Sequence, residues 1–171
     1  MLTAPVTLDT LMKEWSQDTI IDVNNIQKEL LKISHLHGKY LNIMSYHRVM
    51  LRKMETDYKV MRGLREDYYW GRLSKEELDE YGWEQYQIDL KSNPAVTRKL
   101  DTDGELNKLL LKRIAHGEIV DYCESVLKSL NSRTWDLGNV LKYQQMSGNQ
   151  DRKSTRLNSS HSQQSRMPSS A

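Results

Sequence analysis

The sequence has no phenylalanine, a single cysteine and only three prolines among its 171 residues. One cysteine, Cys123, excludes an internal disulfide framework and fits a reducing compartment. No apolar run reaches the roughly 18 residues that a membrane span requires, and the N-terminus lacks the basic and apolar segments of a secretory signal. We therefore expect a protein of the cytoplasm that neither crosses a membrane nor is secreted.

Sequence patterns of enzymes and metal sites are also missing. There is no glycine-rich phosphate loop and no recognisable Ser-His-Asp ordering. His116 and Cys123 are two helical turns apart, but the two further ligands that zinc needs are not found. Ile119, Val120 and Leu127 surround Cys123 in the helical pattern, which favours an inert buried thiol. We expect no enzyme, no cofactor and no metal site.

The composition changes abruptly at Asp151. The final segment, DRKSTRLNSSHSQQSRMPSSA, is rich in Ser and Arg and nearly free of apolar residues. It fits a disordered tail or a basic nucleic-acid arm, but we favour a translated sequencing adapter, which DRKSTRLNSSH and SRMPSSA resemble. Without this segment the 25 basic and 23 acidic residues become 21 and 22, a net charge of −1. Any DNA binding must then depend on local charge.

The chain divides into an N-terminal lead-in over 1–21, a helical domain over 22–148 and a disordered tail over 149–171. In the first two parts apolar residues recur every three or four positions, which is typical of helices. No run of Val, Ile and Thr bounded by turns predicts a strand, and no repeat of about 20–50 residues is evident. The predicted fold class is all-α.

Four apolar residues recur at helical spacing near the N-terminus: Leu8, Leu11, Met12 and Trp15. They predict a short amphipathic helix, and Asp22 is placed to cap the next one. Over 23–69 strong helix formers predict one long helix, or two nearly collinear ones with a break at 35–38 or 42–45. At about 1.5 Å per residue an unbroken helix would exceed roughly 60 Å. It needs a hairpin partner or another chain.

The sequence of the second half of the chain predicts further helices. Ser74 followed by Glu77 is the pattern of a capping box, here for a helix over about 75–90. Asn93-Pro94 ends that helix, and a loop to Asp103 is expected. Two more helices are predicted, over 104–133 and over about 133–147.

The region 48–72 is the most informative about function. At 100° per residue, four cations form one stripe on the long helix, apart from acidic residues: Arg48, Arg52, Lys59 and Arg62. Within 39–65 seven basic residues face only two acids, a local net charge of +5. Phosphate binding requires such an array, although a solvated helix face is the ordinary alternative.

Aromatic residues crowd the C-terminal end of the same helix, beside two more cations: Arg65, Tyr68, Tyr69, Trp70 and Arg72. Unstacked bases bind to aromatic faces while Lys and Arg hold the backbone, which favours single-stranded nucleic acid. Duplex recognition would need a helix-turn-helix or zinc module, and neither spacing is present. The alternative is that these aromatics pack helix against helix.

The following segment, 66–90, is acidic. Eight acidic residues face only Arg72 and Lys75, a net charge of −6. This segment is suited to contact a basic partner or the cationic stripe of a neighbouring subunit, although most acidic segments are simply solvated.

The stretch RGLREDYYWGR, with DYCESVLKSLNSR towards the C-terminus and IDVNNIQKELLKISHLHGKYLNIM near the start, resembles the UvsY family of phage recombination mediators over residues 18–147. The family's DNA-binding motif is a Leu-Lys-Ala-Arg-Leu-Asp-Tyr-Tyr run. Arg65 matches its arginine, and Asp67, Tyr68 and Tyr69 match its end. The motif lysine falls on Gly63, and the resemblance implies that the adjacent Arg62 substitutes for it.

The resemblance implies a ring-like homo-oligomer assembled partly through C-terminal helices. It implies binding to single-stranded DNA, to a RecA-like phage recombinase and to a single-strand-DNA-binding protein, within the cytoplasm of an infected bacterial host. The expected DNA-binding residues are Arg48, Arg52, Lys59, Arg62, Arg65, Tyr68, Tyr69 and Arg72. A protein-only helical scaffold, in which the stripe pairs with the acidic segment of a neighbour, is the rival hypothesis.

Overall fold

The computed structural model describes residues 6–88, 90 and 92–161, with side chains as far as residue 147. Over these residues the chain is helical and forms no strand, so the predicted all-α class is confirmed. The described residues form five helices in chain order: α1 (Leu8–Asp18), α2 (Ile26–Tyr69), α3 (Lys75–Tyr81), α4 (Asn93–Asp101) and α5 (Gly104–His161).

The two long helices, α2 and α5, form an antiparallel hairpin. The end of α2 meets the start of α5, where the Tyr69 hydroxyl donates a 2.8 Å hydrogen bond to Oδ2 of Asp103. Further along, Nδ1 of His47 lies 2.8 Å from Nδ1 of His116. Helix α5 is thus the hairpin partner that so long a helix needs.

Helix α2 is a single helix of 44 residues, without a break at either expected position. Leu36, Tyr40 and Met44 are buried at helical spacing across both positions. Each buried side chain of this size contributes about 1.5–3 kcal/mol, which outweighs the cost of about 1 kcal/mol for Gly38 in a helix interior. Helix α5 is also continuous, where the sequence predicts a boundary near 133.

The main hydrophobic core lies where α1 packs on the hairpin. Leu11 of α1, Tyr40 of α2, and Cys123 and Leu130 of α5 are wholly buried there. The Trp15 ring meets Tyr40 edge-on, with 5.5 Å between ring centroids. Burial raises the pKa of the Cys123 thiol to about 11, so this side chain stays protonated and unreactive at neutral pH.

Polar contacts hold the end of α1 against the hairpin. Oδ2 of Asp18 accepts hydrogen bonds from Lys39 Nζ at 2.7 Å and from the Tyr40 hydroxyl at 3.0 Å. The buried Arg133 guanidinium donates to the carbonyl oxygens of Asp18 at 3.4 Å and Thr19 at 3.2 Å. Because the last carbonyls of a helix have no partners within it, Arg133 satisfies groups that would otherwise be orphaned.

The start of α2 is capped by Asn25, so the prediction that Asp22 caps it is wrong. Oδ1 of Asn25 accepts a hydrogen bond from the Lys28 N–H at 3.3 Å. Oδ1 of Asp22 instead accepts from the Asn24 N–H at 3.0 Å, within the turn that precedes the helix.

Two boundaries between α2 and α5 also differ from the prediction. The capping box of Ser74 and Glu77 is confirmed, but α3 ends at Tyr81 rather than near 90. Gly82 adopts a left-handed φ of 65° there and stops the helix. Helix α4 occupies 93–101, where the sequence predicts a loop, because Pro94 lies in the first turn, where a helix needs no N–H.

The backbone of α5 is helical to His161, where the sequence predicts disorder from 149. The chain has no proline between Pro94 and Pro168, so no residue of that kind interrupts the helix. The rest of the tail, 162–171, lies outside the described residues. The domain limits and the adapter interpretation stay predictions.

Candidate nucleic-acid interface

Exposed cations lie on one side of α2. Arg52 and Lys59 are exposed and about two helical turns apart, so their side chains leave the helix in similar directions. Within the part of the chain that the structure describes, neither forms an ion pair with a carboxylate. Arg62, on the next turn, is half-buried, and its Nη1 lies 3.4 Å from the Tyr58 hydroxyl oxygen. We call Arg52, Lys59 and Arg62 the α2 cationic face.

Arg48 belongs to the predicted stripe but is paired across the hairpin. Its guanidinium forms an ion pair with Glu124 of α5, and the two side chains are 47% and 40% exposed. Exposed pairs of this kind contribute about 1 kcal/mol or less. A phosphate group can therefore compete with Glu124 for Arg48.

The predicted separation of the stripe from acidic residues is wrong. Glu55 lies three positions after Arg52 and four before Lys59, and Glu66 follows Arg62 by about one turn. Both carboxylates therefore project from the same side of α2 as the cations, and both residues are exposed. They reduce the positive charge of the α2 cationic face.

The Arg65 side chain lies on a different side of α2 from the α2 cationic face. Arg65 follows the buried His47 by about five helical turns, so it lies on the side of α2 that faces α5. Its side chain is 13% exposed, and its Nε lies 3.2 Å from Oδ2 of Asp103. The guanidinium carbon lies 4.0 Å from the centroid of the Trp83 ring. Because Nε has no hydrogen-bond partner among the described residues, charge rather than a directed hydrogen bond links it to Asp103.

Tyr68 and Tyr69 are enclosed by the segment that follows α3. The Tyr68 hydroxyl donates to the Glu84 carbonyl oxygen at 3.0 Å, and its ring meets Trp83 edge-on at 5.2 Å. Tyr69 meets the Tyr86 ring edge-on at 5.0 Å. Both predicted stacking residues are half-buried, and their faces are largely used within the chain.

Asp103 is a further residue of this site, and the sequence does not predict it. Its Oδ1 accepts hydrogen bonds from the N–H groups of Glu105 at 2.9 Å and Leu106 at 3.0 Å, and so caps α5. Its Oδ2 accepts from Tyr69 and lies beside Arg65. Burial and the bond to Asp103 raise the pKa of Tyr69 to about 12. An Asp just before a helix predicts a cap, but no local pattern predicts the contacts of Oδ2 with α2.

Arg72 lies beyond the end of α2 and is mostly exposed. Its Nη1 lies 3.4 Å from Oδ1 of Asp67, with side chains 62% and 48% exposed. The guanidinium carbon lies 5.4 Å from the Trp70 ring centroid. The predicted site residues therefore fall into two groups, since Arg65, Tyr68 and Tyr69 are packed together while the other cations lie towards solvent.

The histidine and cysteine considered as metal ligands, His116 and Cys123, are not in contact with each other. The His116 ring contacts His47 rather than Cys123. The described residues contain no group of three or more side chains suited to a metal ion. None of the described helices is long and apolar enough to cross a membrane.

Fold and site together define a class: a protein built on a long antiparallel hairpin of helices, in which α2 presents to solvent cations that have no ion-pair partner among the described residues. Comparison with known proteins narrows this class. The family model described as "Recombination, repair and ssDNA binding protein UvsY" matches residues 14–149. The chain belongs to the UvsY family.

A curated relative and solved structures agree with this assignment. The chain is 27% identical over 133 residues to "Recombination protein uvsY" of Enterobacteria phage T4, which covers 78% of this chain and 91% of the relative. Two crystal structures of the bacteriophage T4 recombination mediator protein UvsY have the same fold. Lattice type II gives a TM-score of 0.72 at 23% identity, covering 84% of this chain and 98% of the other. Lattice type IV gives 0.71 at 23% identity, covering 82% and 99%.

Proposed function

We propose that this protein is a recombination mediator that binds single-stranded DNA and promotes the loading of a RecA-like recombinase onto strands covered by single-strand-binding protein. The proposed processes are phage recombination, repair and recombination-dependent replication. The observation that supports it most is the α2 cationic face, whose exposed Arg52 and Lys59 have no ion-pair partner among the described side chains. The mediator named in the matching T4 structures gives the second support.

The residues proposed to contact the strand fall into two groups, one exposed to solvent and one enclosed within the chain. Arg52, Lys59 and Arg62 neutralise phosphates directly, and Arg48 and Arg72 join them by exchanging weak, exposed ion pairs for phosphate. The motif residues Arg65, Tyr68 and Tyr69 are enclosed in this structure. Their contact with DNA requires the segment after α3 or the Asp103 contact to give way.

Oligomerisation is the proposed source of affinity. One subunit offers few phosphate contacts, and several subunits on one strand convert weak contacts into avidity. Large apolar side chains towards the C-terminal end of α5 are exposed in the isolated chain, with Trp135 at 75%, Tyr143 at 74% and Met146 at 71%. Exposed apolar groups of this size are suited to contacts between subunits.

The proposed mechanism is organisational rather than chemical. The oligomer holds a strand in a form that a recombinase takes over, while the single-strand-binding protein is displaced. No enzymatic step and no cofactor is assigned to the chain, and its proposed place of action is the cytoplasm of the infected host. The acidic side chains of α3, among them Glu76, Glu77 and Asp79, are exposed and available to a basic partner protein.

Fluorescence anisotropy with a labelled single-stranded oligonucleotide tests where the strand binds. Arg52→Ala/Lys59→Ala is expected to weaken binding at low salt by about tenfold or more, and to flatten the log–log salt dependence by about 0.7 for each phosphate that is no longer neutralised. The matched control is Lys128→Ala/Lys142→Ala, which removes two exposed positive charges from α5.

Equal weakening by both double variants would mean that overall charge rather than the α2 cationic face governs binding. No binding by a folded, oligomeric wild-type protein would favour the protein-only scaffold, in which the cations of α2 contact acidic residues of a neighbouring subunit.

A further inference from the structure

Arg65 and Tyr69 share one anionic partner. Both are motif residues of the UvsY type, and both direct their polar groups to Oδ2 of Asp103, at 3.2 Å from Arg65 Nε and 2.8 Å from the Tyr69 hydroxyl. The Asp103 side chain is 2% exposed. A carboxylate oxygen presents to a guanidinium the same kind of acceptor as a phosphate oxygen. Asp103 therefore occupies the position towards Arg65 that a phosphate of the strand would need.

We propose that Asp103 is a positioning residue that controls whether Arg65 and Tyr69 are available to single-stranded DNA. Its carboxylate holds both side chains inward, and a phosphate of the strand replaces it at Arg65 when DNA binds. This inference rests on the proposed function, since it requires that the chain binds a strand.

The geometry allows this exchange without unfolding α5. The cap of α5 depends on Oδ1 of Asp103, which stays bonded to the N–H groups of Glu105 and Leu106 when Oδ2 loses Arg65. Arg65 Nε makes no directed hydrogen bond in the present arrangement, so a well-placed phosphate oxygen gains a bond that Asp103 does not provide. Part of the Arg65 side chain, 13%, already reaches solvent.

A double-mutant cycle tests the coupling between Asp103 and Arg65. Asp103→Asn retains an oxygen that can cap α5 but removes the competing charge, and it is expected to tighten oligonucleotide binding by about tenfold, the equivalent of roughly 1.4 kcal/mol. In the Arg65→Ala background the same substitution is expected to give no such gain. A merely structural role for Asp103 predicts a loss of affinity, not a gain that depends on Arg65.

Glu105→Gln is the matched control, because it removes one negative charge from an exposed neighbour. It is expected to change affinity by less than about twofold, and equally in both backgrounds. A gain for Asp103→Asn that is no larger, or that persists without Arg65, would overturn the inference.

The wild-type protein supplies a second measurement, since Asp103→Asn leaves a buried guanidinium unpaired and is destabilised for that reason. In nitrogen-15 spectra of the arginine side chains, assigned with Arg65→Lys, the Arg65 Nε–H signal is expected to move when an oligothymidylate is added. An unmoved Arg65 signal at saturating oligonucleotide overturns the inference alone. Failure of the wild-type protein to bind the oligonucleotide would overturn the proposed function as well.

Discussion

His47 lies in surroundings that oppose a positive charge on its ring. It is 3% exposed, and its Nδ1 shares a hydrogen bond with Nδ1 of His116, which needs one proton between the two rings. Burial and the nearby His116 lower the pKa of His47 below its ordinary value of 6.5. The unfolded chain therefore binds a proton at this site more readily than the folded chain.

The expected consequence is a loss of stability in mild acid. As pH falls below about 6.5, the unfolded state gains a proton that the folded state resists, so the free energy of unfolding decreases until the folded pKa is passed. Chemical denaturation at pH 8 and pH 5 measures this loss, and His47→Gln is expected to reduce it. His35→Gln, at an exposed histidine, serves as control, and a pH dependence that His47→Gln leaves unchanged would contradict the account.

The spacing of charged residues predicts which cations share a side of α2, but not what each of them contacts. Arg52 and Lys59 are exposed as the helical period predicts. Arg65 is not, because the direction of α5 decides which side of α2 is covered, and a local pattern has no information on that direction. For the same reason Asp103, 34 positions from Tyr69 in sequence, is predictable only as a cap.

At the scale of elements, Gly82 ends α3 through its backbone conformation alone. Its φ of 65° is left-handed, and a Cβ added there would meet no heavy atom within 4 Å. Gly82→Ala is therefore expected to destabilise the protein by about 1–2 kcal/mol through backbone strain without a steric clash. Denaturation midpoints at fixed protein concentration measure this change.

Gly63 is the matched control for Gly82, since it also has open space around it but lies within α2 at a negative φ. Gly63→Ala is expected to stabilise the helix by about 0.5–1 kcal/mol. Equal effects of the two substitutions would contradict the assignment of left-handed strain to Gly82.

The helical state of the long elements is predictable because their periodicity extends over many turns, although α5 is one helix where the sequence predicts two. The short elements depend on single residues. The sequence predicts the extent of α2 to within a few positions. It misses α4 because Pro94 is read as a stop, although proline is equally suited to the first turn of a helix. It extends α3 too far because one glycine, which a helix sometimes tolerates, here adopts the left-handed conformation.

At the scale of the whole molecule, charge does not favour nucleic acid. The 171-residue chain has a formal net charge of +2, and exposed acids on α2 and α3 oppose the cations. Under the proposed function, attraction for a strand therefore comes from a local surface that oligomerisation repeats. A protein of this kind is expected to bind a strand weakly as a monomer and strongly as an assembly.

The most direct test of the central claim compares the binding of single-stranded and duplex oligonucleotides of the same sequence to the wild-type protein, over a range of salt concentrations. The account predicts tighter binding to the single strand, with affinity that falls as salt rises at about 0.7 per phosphate contact in the log–log slope. Binding that is absent at low salt, or that shows no preference for the single strand, would contradict it.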